Sequence, residues 1–490
     1  MSKITEVLAL PSGEMIRDSL QLCKPKFAKS FAETEAEYDV YKHAVFDRTK
    51  RKRKQVKVKT DKFDADGNPL YKIKYVEVCR VAVPIQKLLV ERTAGFLLGK
   101  KVEYKLKGEA ATSKEPQALY DSVMLVYEQN KMPYFDKKIA RAVFREREAA
   151  ELWYFVPDEN GKPTSGEMRV QLLSPSRGDL LLPHFDDYGR MDGFGRGYRT
   201  MNLLGQYIMH FDVYTSSVVY RFETEANGAQ LHAVDAAPVP HGFDRMPIVY
   251  YRQEKTEWDD VQPACDRVDT LLSNWGDTND YFGSPSYFFK GKLKGFAEKG
   301  EQGKVYQGEG QETDMKVLSW DSSPESIKGE LGELFNVIFS YTQTPDISFK
   351  SMKEIGSNTS GVAINLMFTD AFMKADDKQE LFGENFERRF NIVKGGCAQR
   401  DGVGESVVES TFVEPVFQLY LPKNKKEEIE IINLSTNGKP TMSQEEGVRK
   451  NPLVDNPDAT MKQLKDEAKE AAKLQRDMFG AGDSFSSGEE

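Results

Sequence analysis

From about Ser360 to Lys394 the chain reads as one long helix, and Gly395-Gly396 is suited to end it. Phe382, Phe386, Phe390 and Val393 recur along one stripe of its later half. At 1.5 Å per residue such a helix extends roughly 50 Å, longer than one small domain needs. It must span layers or support a loop at its tip, which constrains the chain to an extended assembly of several elements. The length of 490 residues agrees, being too great for one core.

What precedes the long helix is mixed. The segment Lys50 to Lys62 is dense in Lys and Arg, alternates Val56 and Val58 with Lys57 and Lys59, and runs into the turn signal Asp64-Ala65-Asp66-Gly67-Asn68-Pro69. It predicts a charged hairpin, either solvated or in contact with nucleic acid or a neighbouring subunit. VPIQKLLVERTAGFLLGK, residues 83–100, predicts a helix with Pro84 in its first turn and Gly99 at its stop. Helices are expected over about Glu115 to Asn130 and Tyr134 to Glu151. Strands are expected at Leu152 to Val156, Met168 to Leu173, Leu180 to Leu182, Gly205 to Tyr214 and Val218 to Phe222. The fold class is α+β.

At Asp259 the pattern changes. DDVQPACDRVDTLLSNWGDTNDYF carries Val261, Cys265, Val268, Leu271, Leu272 and Trp275 at helical spacing, and its polar face is rich in Asp. A second amphipathic helix, about Pro324 to Thr342, is stopped by Thr344-Pro345 and can be capped by Ser322 with Glu325. The two bracket a Gly- and Lys-rich β insertion, Ser286 to Asp321. The polar run after Pro345, with Gly356 and Gly361, reads as a long loop. Alternation over Val407 to Leu421 suggests strands. Ser443 with Glu446 is a further capping box, Asn456-Pro457 opens a last helix, and the Gly/Ser/acidic tail from Gly480 reads as disordered.

Charge limits the possible partners. A formal net charge of -9 makes the whole-molecule field repel nucleic acid, which excludes tight electrostatic collection of DNA. Cys23, Cys79, Cys265 and Cys397 are too scattered for a zinc module or a disulfide framework. The opening MSKITEVLALPSGEMIRDS lacks the long apolar run of a secretory signal, and no later stretch approaches the roughly 18 apolar residues of a membrane helix.

Sites of covalent chemistry are not evident either. His43, His184, His210, His232 and His241 form no metalloprotease or hydrolase motif. Gly193-Phe194-Gly195-Arg196-Gly197 lacks the full phosphate-loop pattern and a following helix, so a β-turn is expected there. GFLLGKK, residues 95–101, is too short for a Walker A loop. Asp186-Asp187 and the Asp-rich helix could form a two-metal nuclease site only if inward-facing carboxylates converged around metals about 4 Å apart. The varied angles of those Asp residues favour a solvated or channel-lining face. No catalytic residue, metal or cofactor is expected.

The order of these pieces resembles the portal, or head-to-tail connector, family of tailed bacteriophages, in particular the siphophage type. The resemblance rests on VPIQKLLVERTAGFLLGK, the helix ending in Asn130-Lys131 with another behind it, and RMPIVYYRQEK leading into the Asp-rich helix. It continues through the bracketed insertion, TPDISFKSMKEIGSNTSGVAINLMF, and LPKNKKEEIEIINL with its capped helices. It covers nearly the whole chain, and its strength lies in order and spacing.

The resemblance implies a homo-oligomeric ring, dodecameric, at one capsid vertex of the virion. The subunit would have a mixed α/β wing, a two-helix stem, a small α/β clip, a long wing helix and a helical crown. Residues 1–258 would form the N-terminal region and wing, 259–285 and 323–347 the stem, 286–322 the clip, and 348–361 the tunnel loop. Residues 362–420 would be the long wing helix and wing strands, 421–476 the crown, and 477–490 a tail. Phe349, Lys350, Lys353, Ser357, Asn358 and Thr359 would face double-stranded DNA passing without sequence preference. Asp266, Asp269, Asp277 and Asp280 would line the stem, and Lys290, Lys292, Lys294 and Lys304 would belong to the clip. Further implied partners are terminase, the major capsid and scaffold proteins and a head-tail adaptor, with assembly in the host cytoplasm and no membrane. Two alternatives stay open: a metal-dependent phage nuclease or head-processing enzyme, and another capsid or neck component.

Overall fold

A computed structural model describes residues 3–65, 67, 69–108, 113–156, 167–282, 286–295, 307–318, 324–346, 366, 368–418, 425–437 and 440–480. The chain divides into two compact units, Met1–Asp346 with Asp370–Tyr420, and Ile347–Thr369 with Leu421–Glu490.

The first unit opens with α1 (Ile4–Leu8), α2 (Gly13–Cys23) and α3 (Phe31–Tyr38), the last begun by a capping box in which Ser30 and Glu33 exchange hydrogen bonds. The Lys/Arg-dense segment forms the antiparallel ribbon β1 (Lys54–Phe63) and β2 (Pro69–Val76), as its alternation predicts. Next come α4 (Ile85–Leu98), β3 (Glu103–Leu106), α5 (Lys114–Gln129) and α6 (Met132–Glu146). The helix expected to run on to Glu151 stops at Glu146. Arg147 adopts a left-handed backbone (φ 69°), and its guanidinium lies over the Phe27 ring and donates to the Lys29 carbonyl at 2.7 Å. Strand β4 (Glu148–Phe155) starts at once.

β4 is the middle strand of a three-stranded antiparallel sheet with β5 (Met168–Leu173) and β12 (Ile248–Arg252). Between them β6 (Leu180–Phe185), β7 (Met191–Met201), β8 (Tyr207–Tyr214), β9 (Val218–Thr224) and β10 (Leu231–Ala233) form an antiparallel meander, with β11 (Val239–Pro240) paired to β9. The glycines 193, 195 and 197 lie inside β7 rather than in the expected turn. A Cβ on Gly193 would collide with Ile4, and one on Gly195 would press on Leu20 and Phe211. Bare backbone is what lets α1 and α2 seat on this sheet, over Leu182, Phe211 and Val213.

Helix α7 (Gln262–Phe282), the ribbon β13 (Ser286–Gly295) and β14 (Gln307–Leu318), and helix α8 (Pro324–Tyr341) follow. The long helix α9 spans Thr369–Asp401. It runs straight through Gly395-Gly396, which sequence spacing had marked as its end. A Cβ on Gly395 would meet the Asp244 carboxylate, and one on Gly396 the Met168 sulfur at 2.7 Å. The pair flattens the helix for close packing instead of stopping it. α10 (Glu405–Ser410) and β15 (Val413–Val416), which pairs with β3, stand where only strands were expected.

α9 is the axis of the main core. Phe382, Phe386 and Phe390 pack among Phe144, Tyr251, Tyr104 and Phe417. Beside them Arg389, with no exposure, donates from Nη1 to Asp136 at 2.6 Å and from Nε to Glu151 Oε2 at 2.9 Å. Tyr251 donates to Glu151 Oε1 at 2.6 Å. Burial pushes the Asp136 carboxyl up to about 6 against the pull of Arg389. A buried cluster of this kind costs about 3–5 kcal/mol to break, because one departing partner leaves the others uncompensated.

The second unit holds α11 (Lys425–Thr436), α12 (Gln444–Lys450) and α13 (Pro457–Gly480). Ser443 accepts from the Glu446 amide at 3.1 Å, one half of the expected capping box. Ser322 and the tail from residue 481 lie outside the described residues.

Candidate functional site

Helix α7 presents two faces to the first unit. One is apolar: Cys265 and Val268 are buried, with Val261 in the turn just before the helix, and Leu331, Leu334, Phe335 and Ile338 of α8 join the same cluster. Arg267 crosses to Glu330 with its Nε at 2.8 Å. The other face is polar and holds an extended strap, residues 79–83. Asp269 Oδ1 accepts from the Val83 amide, Ser273 Oγ from the Val81 amide, and Asp277 Oδ1 from the Cys79 amide, each at 2.9 Å. Alternate amides of an extended chain recur every ~6.6 Å. Residues four apart on a helix recur every ~6 Å. The two repeats match, so three helical side chains satisfy the strap as a neighbouring strand would. The strap also runs close to the helix, since a Cβ on Gly276 would collide with the Cys79 sulfur and lie 3.2 Å from its Cβ.

His43 and Arg51 lock the two ends of this zipper. His43 Nδ1 stands 2.6 Å from Asp269 Oδ2 and its Nε2 is 2.9 Å from the Glu37 carbonyl. Burial disfavours the imidazolium, but the hydrogen bond and charge of Asp269 outweigh it and raise the His43 pKa. Arg51 donates to Asp277 Oδ2 at 2.6 Å, to Asn274 Oδ1 at 2.9 Å and to the Cys79 carbonyl at 3.0 Å.

These contacts correct the expectation of an open acidic face. Asp269 is buried and Asp277 is engaged by Arg51, Lys54 and the Cys79 amide within the same subunit. Asp266, which accepts from Gln262 Nε2 at 3.0 Å, and Asp280 are exposed. The nuclease arrangement is disfavoured as well, because both Asp269 oxygens already have partners. Among the described residues no three potential ligands gather to hold a metal ion. Asp186 closes the β6–β7 turn by accepting from the Tyr188 and Arg190 amides at 2.9 and 2.8 Å.

The lysines of the insertion fall on its ribbon. Lys290 is exposed and opposite Asp314, Lys292 is opposite Glu309, and Lys294 lies within β13. Lys304 lies outside the described residues, as do Phe349, Lys350, Lys353, Ser357, Asn358 and Thr359.

Near the end of α8, Glu257 is buried between Lys374 and Lys378 of α9, at 2.8 and 2.7 Å. Burial opposes its charge, yet the two lysines hold it at about 2. Sequence reading missed this triad and the strap. For the strap a signal existed: Asp269, Ser273 and Asp277 at four-residue intervals with Gly276 beside them. For the triad the partners are about 120 positions apart, and nothing local marks them.

A mixed α+β chain with several antiparallel sheets around one long buried helix is consistent with the fold of a phage portal subunit. The chain matches the family described as "Phage portal protein, SPP1 Gp6-like" over residues 21–474, and it belongs to that family. It is a structural portal subunit, a component of the virion and of an oligomeric ring at a capsid vertex. The comparison with curated proteins returned no match. Among solved structures, a chain titled "Virion of native gene transfer agent (GTA) particle" is 13% identical, with 74% of this chain and 86% of that chain covered at a TM-score of 0.33.

Proposed function

We propose that twelve copies of this subunit enclose the channel through which phage DNA is packaged and later ejected. The ring docks terminase during packaging, and head-completion and tail proteins afterwards. The observation that carries this reading is the packed pair α7 and α8, fed in and out of one two-stranded ribbon. A helix pair with a ribbon between its helices can set a narrow stem and present a small docking surface at its end.

In this reading residues 259–285 and 323–347 are stem, 286–322 clip, 348–361 tunnel loop and 421–476 crown, with wing elements on either side. The strap supports it, because residues 79–83 tie the stem helix to the wing and keep their mutual angle fixed. The acidic balance supports it too: DNA that must slide cannot be held by many phosphate contacts. Of the four aspartates expected to line the stem, Asp266 and Asp280 are the two left to face a channel. The ring assembles in the host cytoplasm with the major capsid and scaffold proteins.

Electron microscopy of the purified full chain tests the proposal. Annular particles of twelvefold symmetry with an open centre are expected. Monomers alone under every assembly condition would contradict it.

A further inference from the structure

The ribbon β1–β2 forms a two-stranded sheet of its own. An isolated ribbon of this kind is marginal in water and needs a surface to lie on. Directly opposed residues share a face, so Tyr71, Ile73 and Tyr75 line one side with Lys57, and Val56, Val58 and Val76 line the other with Lys54, Lys72 and Lys74. Both apolar rows are open to solvent in the single subunit, Tyr71 by 60% and Tyr75 by 59%. Lys54 reaches Asp277. Lys57, Lys72 and Lys74 make no ion pair among the described residues.

Helix α9 carries the complementary surface. Met373, Asp376, Glu380, Glu384 and Glu387 recur three or four residues apart and are all exposed, on the side opposite the buried phenylalanines. None of these four carboxylates forms an ion pair among the described residues. The ridge from Asp376 to Glu387 is ~16 Å long. The paired stretch from Lys54 to Lys59 against Tyr71 to Val76 is ~17 Å long, close to the same length.

We propose that, in the assembled ring, the ribbon of one subunit docks on the acidic ridge of α9 in the neighbouring copy. This rests on the ring reading. A closed ring of identical subunits requires two different surfaces that fit each other, repeated around the axis. A basic, apolar ribbon and an acidic ridge of matched length supply such a pair. Lys72 and Lys74 meet the carboxylates, while Val56, Val58 and Val76 on the same face cover Met373 and the aliphatic stems of the glutamates. DNA is the poorer occupant, because a phosphate backbone would neutralise the lysines and leave the valine row beside them in water.

Charge reversal on each side tests the interface. The full-length chain is prepared as wild type, as K57E/K72E/K74E, as E380K/E384K/E387K, and with all six changes together. Circular dichroism checks folding, and native mass spectrometry with electron microscopy reads the fraction of subunits in rings. Each one-sided variant is expected to lose rings by roughly tenfold or more, and the six-fold variant to recover them. Wild-type rings matched by equally abundant rings in both one-sided variants would overturn the interface and leave the ring reading standing. Intact rings with weakened duplex-DNA binding in K57E/K72E/K74E would overturn it in favour of DNA. A wild type that never forms rings would count against the ring reading and remove this interface with it.

Discussion

The imidazole of His43 stands between two acceptors, the Asp269 carboxylate and the Glu37 carbonyl. A neutral ring carries one N–H and can donate to only one of them, whereas the imidazolium satisfies both. Its pKa is raised in the fold despite burial, with Asp269, then the Glu37 carbonyl, then Asp266 favouring the charge. The pairing therefore contributes fully below the unfolded value of about 6.5. That contribution is lost as the pH rises through the higher folded value. His43→Gln should destabilise the chain by about 1.5–3 kcal/mol near pH 5.5, the size of a hydrogen bond to a charged group, and by clearly less near pH 8.5. Thermal melts of the two proteins at both pH values check this, and an equal deficit at both would refute the charged state. Such a locus ties the N-terminal segment to α7 more firmly in acid than in base.

At the scale of elements the strap on α7 depends on a missing side chain as much as on hydrogen bonds. Gly276→Ala should push Cys79 off the helix, cost about 1–3 kcal/mol as overpacking does, and raise the rate at which Cys79 reacts with a thiol reagent. Gly95→Ala is the control, since a Cβ there meets nothing within 4 Å. It should be neutral or stabilising by about 0.5–1 kcal/mol. Similar labelling of Cys79 in both variants would show that the close approach is unimportant.

The strap also marks the limit of what the sequence discloses. Amphipathic repeats announce α4, α7 and α8, and Lys/Val alternation with a turn signal announces β1 and β2, because in each case the pattern and its cause lie within one element. Residues 79–83 have no such pattern, since their amides are satisfied by side chains about 190 positions away. The glycines of β7 and of α9 were misread for the same reason. They read locally as turn and stop signals, but what requires them is the approach of Ile4, Leu20, Asp244 and Met168. Of the candidate channel residues, the Asp face was legible as polar, but which of its members are open was not. Asp269 and Asp277 are taken by partners on the N-terminal segment.

Across the whole molecule, charge is segregated rather than absent. A chain of net charge -9 concentrates unpaired lysines on one ribbon and unpaired carboxylates on one helical ridge. If those two surfaces hold the ring together, assembly and DNA handling belong to different parts of the subunit. The proposed tunnel loop, residues 348–361 with Lys350 and Lys353, belongs to neither surface in the sequence. Shortening Phe349 to Gly361 should therefore leave the abundance and symmetry of rings unchanged in electron micrographs. Particles built with the shortened subunit should package or retain less DNA than wild type, measured as nuclease-protected genome per capsid. Equal protected DNA would remove the tunnel segment from DNA handling. Loss of rings would instead place it in the subunit interface, which the ribbon and ridge would then not form alone.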